Sequence, residues 1–302
     1  MSGTVFGAPL ETVPRMWQIR FVPNNAIIGA FVFLFGMVLG SFLNVCIVRI
    51  PSGKSVVLPS SACPKCGVPI RPYDNIPVLS YLILGGKCRG CKTRISPMYP
   101  IVEFLTGALF LGCYFTFGLT VEALKWAAFS AILVVLIFTD LRERLLPDVV
   151  NYTGLGLALV LSFFGQPTDG TARWLSSYAF AYPPPSPVLS FADALLGAAV
   201  GSGLLWLVSE AYFRLRGREG MGFGDVKMML MAGAFLGVKR TLLTIMAGSL
   251  LGSILGIAFI LSRRTDSDYE LPFGTFLGFA AILAVFFGTP LVNWYQSLLM
   301  VR

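Results

Sequence analysis

Eight apolar runs separated mostly by short polar connections constrain this chain more than any other feature. They cover roughly 26–48, 100–117, 122–139, 149–164, 191–213, 226–238, 242–261 and 274–291. A hydrocarbon core of about 30 Å takes about 20 residues of helix, and a helix satisfies all of its backbone within the segment. The chain is 56% hydrophobic and 13% charged, with a mean hydropathy of +0.76, far from the balance of a soluble domain. The expected fold is an all-α polytopic membrane protein with about eight transmembrane helices. The sixth run is short, so it reads either as a span or as a re-entrant half-helix.

Lysine and arginine in short loops set orientation. With alternating spans, 16 of the 23 basic residues fall on one side and 7 on the other, which puts the richer side in the cytoplasm and both termini outside. The net charge of +8 is then a topology signal, and nucleic acid is not implied as a partner. The first apolar run is followed by no Ala-x-Ala site, so it reads as a retained helix behind an external tail of residues 1–25.

The one sizeable polar segment, 49–99, lies between the first two spans and is rich in Pro, Gly, Cys and basic residues. Its cysteines form two Cys-x-x-Cys knuckles, Cys63 with Cys66 and Cys88 with Cys91. That spacing lets four thiolates converge on one tetrahedral ion and predicts a small zinc-ribbon subdomain. A segment this short buries little core, so a metal is a sensible staple. Four thiolates leave no position open for water, which makes the ion structural. Gly67 and Gly90 are the expected turn residues. A redox dithiol or a disulfide pair is the competing reading. Cys46 and Cys113 lie in apolar runs and read as packing residues. The remainder, 100–302, reads as a membrane-embedded core, with an outer loop over 166–190 whose Pro183 to Pro187 stretch favours an extended spacer.

The chain contains no histidine, which removes Ser-His-Asp and Cys-His catalysis, the His-Glu-x-x-His metalloprotease and ordinary haem ligation. Two carboxylates in one low-dielectric site offer an alternative, because close together they share a proton and supply an acid and a base. Asp140 ends the third run and Asp225 opens the sixth after Gly222-Phe223-Gly224, at the same side of the membrane by the topology above. Gly222 and Gly224 permit a close backbone approach or positive φ. Asp225 also reads as an ordinary acid at a helix N-terminus. Asp148, after Pro147, competes with Asp140 as its partner, although a proline followed by an acid is an ordinary helix start. Glu103 and Glu210 read as interfacial acids.

Taken together these residues resemble the bacterial type IV prepilin peptidases. The resemblance runs through Gly40-Ser41-Phe42-Leu43-Asn44-Val45 with Arg49 and Pro51, the four cysteines, and Arg71-Pro72-Tyr73-Asp74-Asn75-Ile76-Pro77. It continues through Tyr99 to Glu103, Asp140 to Asp148, Gly220 to Lys227 and Pro272-Phe273-Gly274. It implies a membrane-embedded aspartic peptidase of the inner membrane, cleaving prepilin and pseudopilin leaders at the cytoplasmic face with Asp140 and Asp225 as the pair. It also implies methylation of the new N-terminal amine with S-adenosylmethionine, linked to the N-terminal region and its cysteine segment. Residues that bind the methyl donor are not indicated. Thr275 stands where many relatives have a second proline. Other classes remain: an ion-coupled transporter relaying charge through intramembrane acids, or a membrane scaffold docking a partner through its zinc ribbon.

Overall fold

The computed structural model describes residues 4–5, 8–9, 25–166, 168–179, 181–218, 220–263 and 272–300. Among them the regular structure is helical, apart from a two-residue antiparallel pairing of Thr4–Val5 with Ala8–Pro9. The rest of the expected external tail lies outside the described residues. The helices are α1 (Ala26–Arg49), α2 (Leu79–Ile83), α3 (Met98–Phe117), α4 (Val121–Glu143), α5 (Asp148–Ser162), α6 (Thr171–Ala179), α7 (Ser186–Arg216), α8 (Phe223–Arg263) and α9 (Phe273–Met300).

All eight apolar runs are helical, but the count of full-length spans differs. Six described helices, α1, α3, α4, α7, α8 and α9, are long and apolar enough to cross a membrane. The fourth run forms α5, whose 15 residues reach only about 22 Å at 1.5 Å per residue. The sixth and seventh runs form α8 together, interrupted at Gly237 with φ 73° and ψ 179°. Glycine takes that conformation without steric cost, and the chain turns back there. Near the start of α8 Asp225 faces Gly274 of α9, and past the break Gly252 faces Phe276, only two residues along α9. The two halves of α8 therefore run antiparallel, and the first half is a short arm of about 21 Å.

Helix α4 runs through the middle of the bundle, with most of its length buried. Phe129 of α4 stacks on Phe235 of α8, ring centroids 4.6 Å apart. Helices α7 and α8 touch backbone to backbone: a β-carbon on Gly197 would lie 2.2 Å from the Gly233 oxygen. Small residues let membrane helices pack where lipid gives no hydrophobic drive. The outward faces stay apolar, for example Phe31, Leu34, Phe35 and Val38 of α1, as lipid contact requires.

The outer loop is more ordered than an extended spacer. Residues 171–179 form α6, and Ser186 and Pro187 already belong to α7. The fully buried Asp193 of α7 accepts from the backbone N–H groups of Ala172 at 2.6 Å and Gly170 at 3.2 Å, capping α6. Asp169 accepts from Lys239 N at 2.7 Å, just past the Gly237 turn. These acids satisfy backbone donors left free where helices begin.

Candidate active site and metal centre

The last turn of α4 and the first turn of α8 bring Asp140 and Asp225 to one end of the bundle. Both are buried, at 5% and 7% exposure. Between them passes the start of α9. A β-carbon on Gly274 would lie 3.1 Å from Asp225 Oδ1 and 3.2 Å from Asp140 Oδ2, so those oxygens are separated by no more than the sum of these distances. The same β-carbon would lie 2.8 Å from Leu146 Cδ1. Gly274 thus lets the backbone slot between two carboxylates and a leucine. Arg144, in the left-handed region, closes α4 by donating its N–H to the Asp140 carbonyl at 2.9 Å.

Asp148 is placed differently. Its carboxylate receives Lys227 Nζ at 2.7 and 2.8 Å, on a side chain 55% exposed. Gly222 and Gly224 are not among the glycines at positive φ. Their use is proximity: a β-carbon on Gly224 would lie 3.2 Å from Leu146 Cβ, and Asp225 N donates to Gly222 O at 3.1 Å. Glu103 is buried rather than interfacial and accepts from Val78 N at 2.7 Å, tying the polar segment to α3. Glu210 is surface-paired with Arg214 at 2.7 Å, one turn on.

Sequence reasoning gave Thr275 no role, yet both its N–H and its hydroxyl donate to Asp140 Oδ2, at 2.6 and 2.8 Å. No local sequence signal points to these bonds, which form only where the start of α9 packs against the end of α4. Hydrogen bonds to charged acceptors are worth roughly 1.5–3 kcal/mol. Thr275→Val keeps the N–H and loses the hydroxyl, so it is expected to slow any reaction that uses Asp140 by about tenfold, with Thr275→Ser near wild type. Initial rates on the two variants check this, and equal rates would contradict it.

The four cysteines of the polar segment form one cluster, their Sγ atoms all within 4.8 Å of one another. Cys63 and Cys91 are 3.7 Å apart, Cys66 and Cys88 4.0 Å. A disulfide needs about 2.05 Å, whereas four sulfurs at about 2.3 Å from a tetrahedral zinc lie about 3.8 Å from one another. The donor set therefore fits zinc. The two knuckles repeat one turn: Gly67 N donates to Cys63 O at 2.9 Å and Lys92 N to Cys88 O at 3.0 Å. Gly67 (φ 71°) and Lys92 (φ 58°) take the left-handed position after the second cysteine. Lys92, not Gly90, thus makes the second turn. Cys91 Sγ also lies 3.3 Å from the Thr93 hydroxyl. Cys46 and Cys113 are free and buried.

Two family descriptions match the chain: the Bacterial Peptidase A24 N-terminal domain over residues 34–117 and the Type IV leader peptidase family over residues 127–257. A Pseudomonas aeruginosa protein named prepilin leader peptidase/N-methyltransferase is 35% identical, the alignment covering 87% of this chain and 91% of that one. The chain belongs to the type IV leader peptidase family. Relatives of the same name from Aeromonas salmonicida, 33% identical over 90% of this chain and 94% of theirs, and Myxococcus xanthus, 36% over 82% and 69%, agree. No solved structure gives a significant match. In this leader peptidase family member the N-terminal match contains the cysteine cluster, and the second match contains Asp140 and Asp225. Gly274 and Thr275, which touch the carboxylates, lie beyond it.

Proposed function

We propose that this chain removes leader peptides from prepilins and prepilin-like secretion proteins at the cytoplasmic face of the bacterial inner membrane, then N-methylates the new N-terminal residue. The observation that carries the peptidase reading is the convergence of two buried carboxylates on Gly274. In a chain without histidine, such a pair supplies both proton transfers of peptide hydrolysis. One carboxylate takes a proton from water as its oxygen attacks the scissile carbonyl. The other, protonated, gives its proton to the carbonyl oxygen. As the C–N bond breaks, the first returns its proton to the leaving nitrogen and the second takes one back from the diol. The pair ends as it began. Thr275, with two donors on Asp140, favours Asp140 as the ionised base and leaves Asp225 as the acid. Purified protein incubated with a prepilin tests the reading: wild type releases the leader and Asp140→Asn does not.

The ion-coupled transporter is not supported. Asp140 and Asp225 sit at helix ends, and the buried Asp193 is occupied by backbone N–H groups. Relatives over most of the chain are named peptidases.

We assign one structural zinc to Cys63, Cys66, Cys88 and Cys91. With four thiolates it has no open position, so it supports structure and takes no part in hydrolysis. Because thiols shed protons on binding, uptake strengthens as pH rises and fails as pH falls. A strong chelator is expected to release one zinc per chain and make residues 49–99 protease-sensitive while the bundle resists. Unchanged protection with no metal released would contradict the assignment.

A further inference from the structure

The cysteine segment between α1 and α3 shows more apolar surface than a water-facing module of its size needs. Leu79, Leu82 and Ile83 of α2, and Val57 and Leu58 of the loop after α1, are between 50% and 76% exposed. Large apolar side chains grouped at a surface mark contact with lipid or with another protein. The depth of α2 separates these two. Val78, just before α2, donates its N–H to Glu103 Oε2 at 2.7 Å. Glu103 lies against Gly40 of α1, where a β-carbon would be 2.7 Å from the Glu103 Cα. Gly40 stands nine residues before the end of α1 at Arg49, about 13 Å along the helix. The headgroup layer is only about 6 Å thick on each side of the hydrocarbon, so with Arg49 in that layer α2 begins at the edge of the hydrocarbon. Pro77 lines the same cavity as Val38 and Ser41, and Val57 lines it with Phe42, so both apolar groups lie along the outward face of α1 at this level. Beside Glu103, the α3 side chains Ile101 and Phe104 are more than half exposed. The apolar rim of the segment is therefore continuous with surface that faces lipid.

The charge of the segment fits the same partner. Residues 49–99 hold eight basic side chains and one acid, Asp74, which Arg89 pairs at 2.6 Å. Even with the two negative charges that four thiolates leave on a zinc ion, the segment is strongly cationic. Lys54 and Lys87 are exposed and stand within four residues of Val57 and Ile83 respectively, so each apolar group has a cation close to it in the chain.

We propose that the cysteine segment is seated in the cytoplasmic leaflet, with α2 and the Val57–Leu58 loop among the acyl chains of anionic phospholipids and its basic side chains at their phosphates. The proposal needs α1 and α3 to cross the membrane, and it stands whether or not the chain transfers methyl groups. A second copy of the chain is the other partner an apolar rim could take. Two such cationic segments repel each other, whereas an anionic leaflet attracts both.

The test is photo-crosslinking of full-length, zinc-loaded protein in nanodiscs of equal phosphatidylcholine and phosphatidylglycerol, with benzoylphenylalanine in place of Leu82. The same probe in place of Phe35, on the outward face of α1, is the lipid-facing reference, and intact mass reads the adducts. Position 82 is expected to give a phospholipid adduct at no less than about a third of the reference yield. That adduct should be enriched in phosphatidylglycerol at least about threefold over the reference. Lys54→Gln together with Lys87→Gln should at least halve the enrichment while the adduct itself persists. Zinc content and leader cleavage, measured on the same samples, should stay at wild-type levels. A lower yield at position 82, with the reference adduct formed, would mean that α2 faces water and would overturn the proposal. A crosslinked dimer in place of the lipid adduct would assign the rim to a second copy of the chain and overturn it as well. Equal lipid composition at the two positions would overturn the role given to the basic side chains.

Discussion

Asp225→Asn is expected to slow leader removal by about a thousandfold or more, the usual size of a lost general acid or base. The asparagine side chain has the shape of the aspartate but neither takes up nor gives up a proton near neutral pH, so packing around Leu146 and Gly274 should persist while the proton transfer is lost. Asp140→Asn should fall as far. The two losses should not add: each carboxylate works only with the other, so the double variant is expected to match either single one. Asp148→Asn supplies the contrast. It breaks an ion pair with Lys227 whose Asp148 side chain is 55% exposed, a type worth at most about 1 kcal/mol, and cleavage should stay within a few fold. Steady-state cleavage of one prepilin by the four variants measures this. A slow Asp148→Asn beside a fast Asp140→Asn would reverse the pairing.

Gly274→Ala is the second large effect. The added methyl would lie 2.8 Å from Leu146 Cδ1 and 3.1 and 3.2 Å from the carboxylate oxygens, in space where water and the scissile carbonyl have to sit. Leu146 can yield because the contact is with the end of a flexible side chain. Overpacking of this kind costs roughly 1–3 kcal/mol, which the bundle should survive. The carboxylate oxygens must give by a few tenths of an ångström, and since a displacement near 1 Å costs about a hundredfold in rate, a loss of about tenfold is expected. Cleavage should fall by about that factor while methylation of an already trimmed substrate continues. Loss of both activities together would mean the substitution disrupts the fold rather than the site.

Much of the fold was legible because membrane helices announce themselves by composition and length. Eight apolar runs gave eight helical segments, and cysteine spacing gave the cluster, since four thiolates at that spacing have few other uses. A turn between the sixth and seventh runs was expected at residues 239–241, but Gly237 as the residue that makes it was not legible. Glycine in an apolar run is common in membrane helices, and only φ 73° with the return of Gly252 toward Phe276 places the turn there. Glu103 was read as interfacial because its partner, the Val78 N–H, comes from a loop 25 residues away. For the candidate site, Asp140 and Asp225 could be named from the missing histidines, the topology and the resemblance. Gly274 and Thr275 could not be given roles. Their contacts depend on how the start of α9 threads between α4 and α8, and no local pattern encodes a contact such as Thr275 with Asp140, 135 residues apart.

The central claim is that one chain carries a two-aspartate peptidase and a methyl-transfer activity. The most direct measurement is the intact mass of a prepilin after incubation with the purified protein and S-adenosylmethionine. Wild type should yield a product lighter by the leader and heavier by one methyl group, and Asp140→Asn should leave the prepilin mass unchanged. A trimmed product from Asp140→Asn, or an untouched prepilin after incubation with folded wild-type protein, would contradict the account.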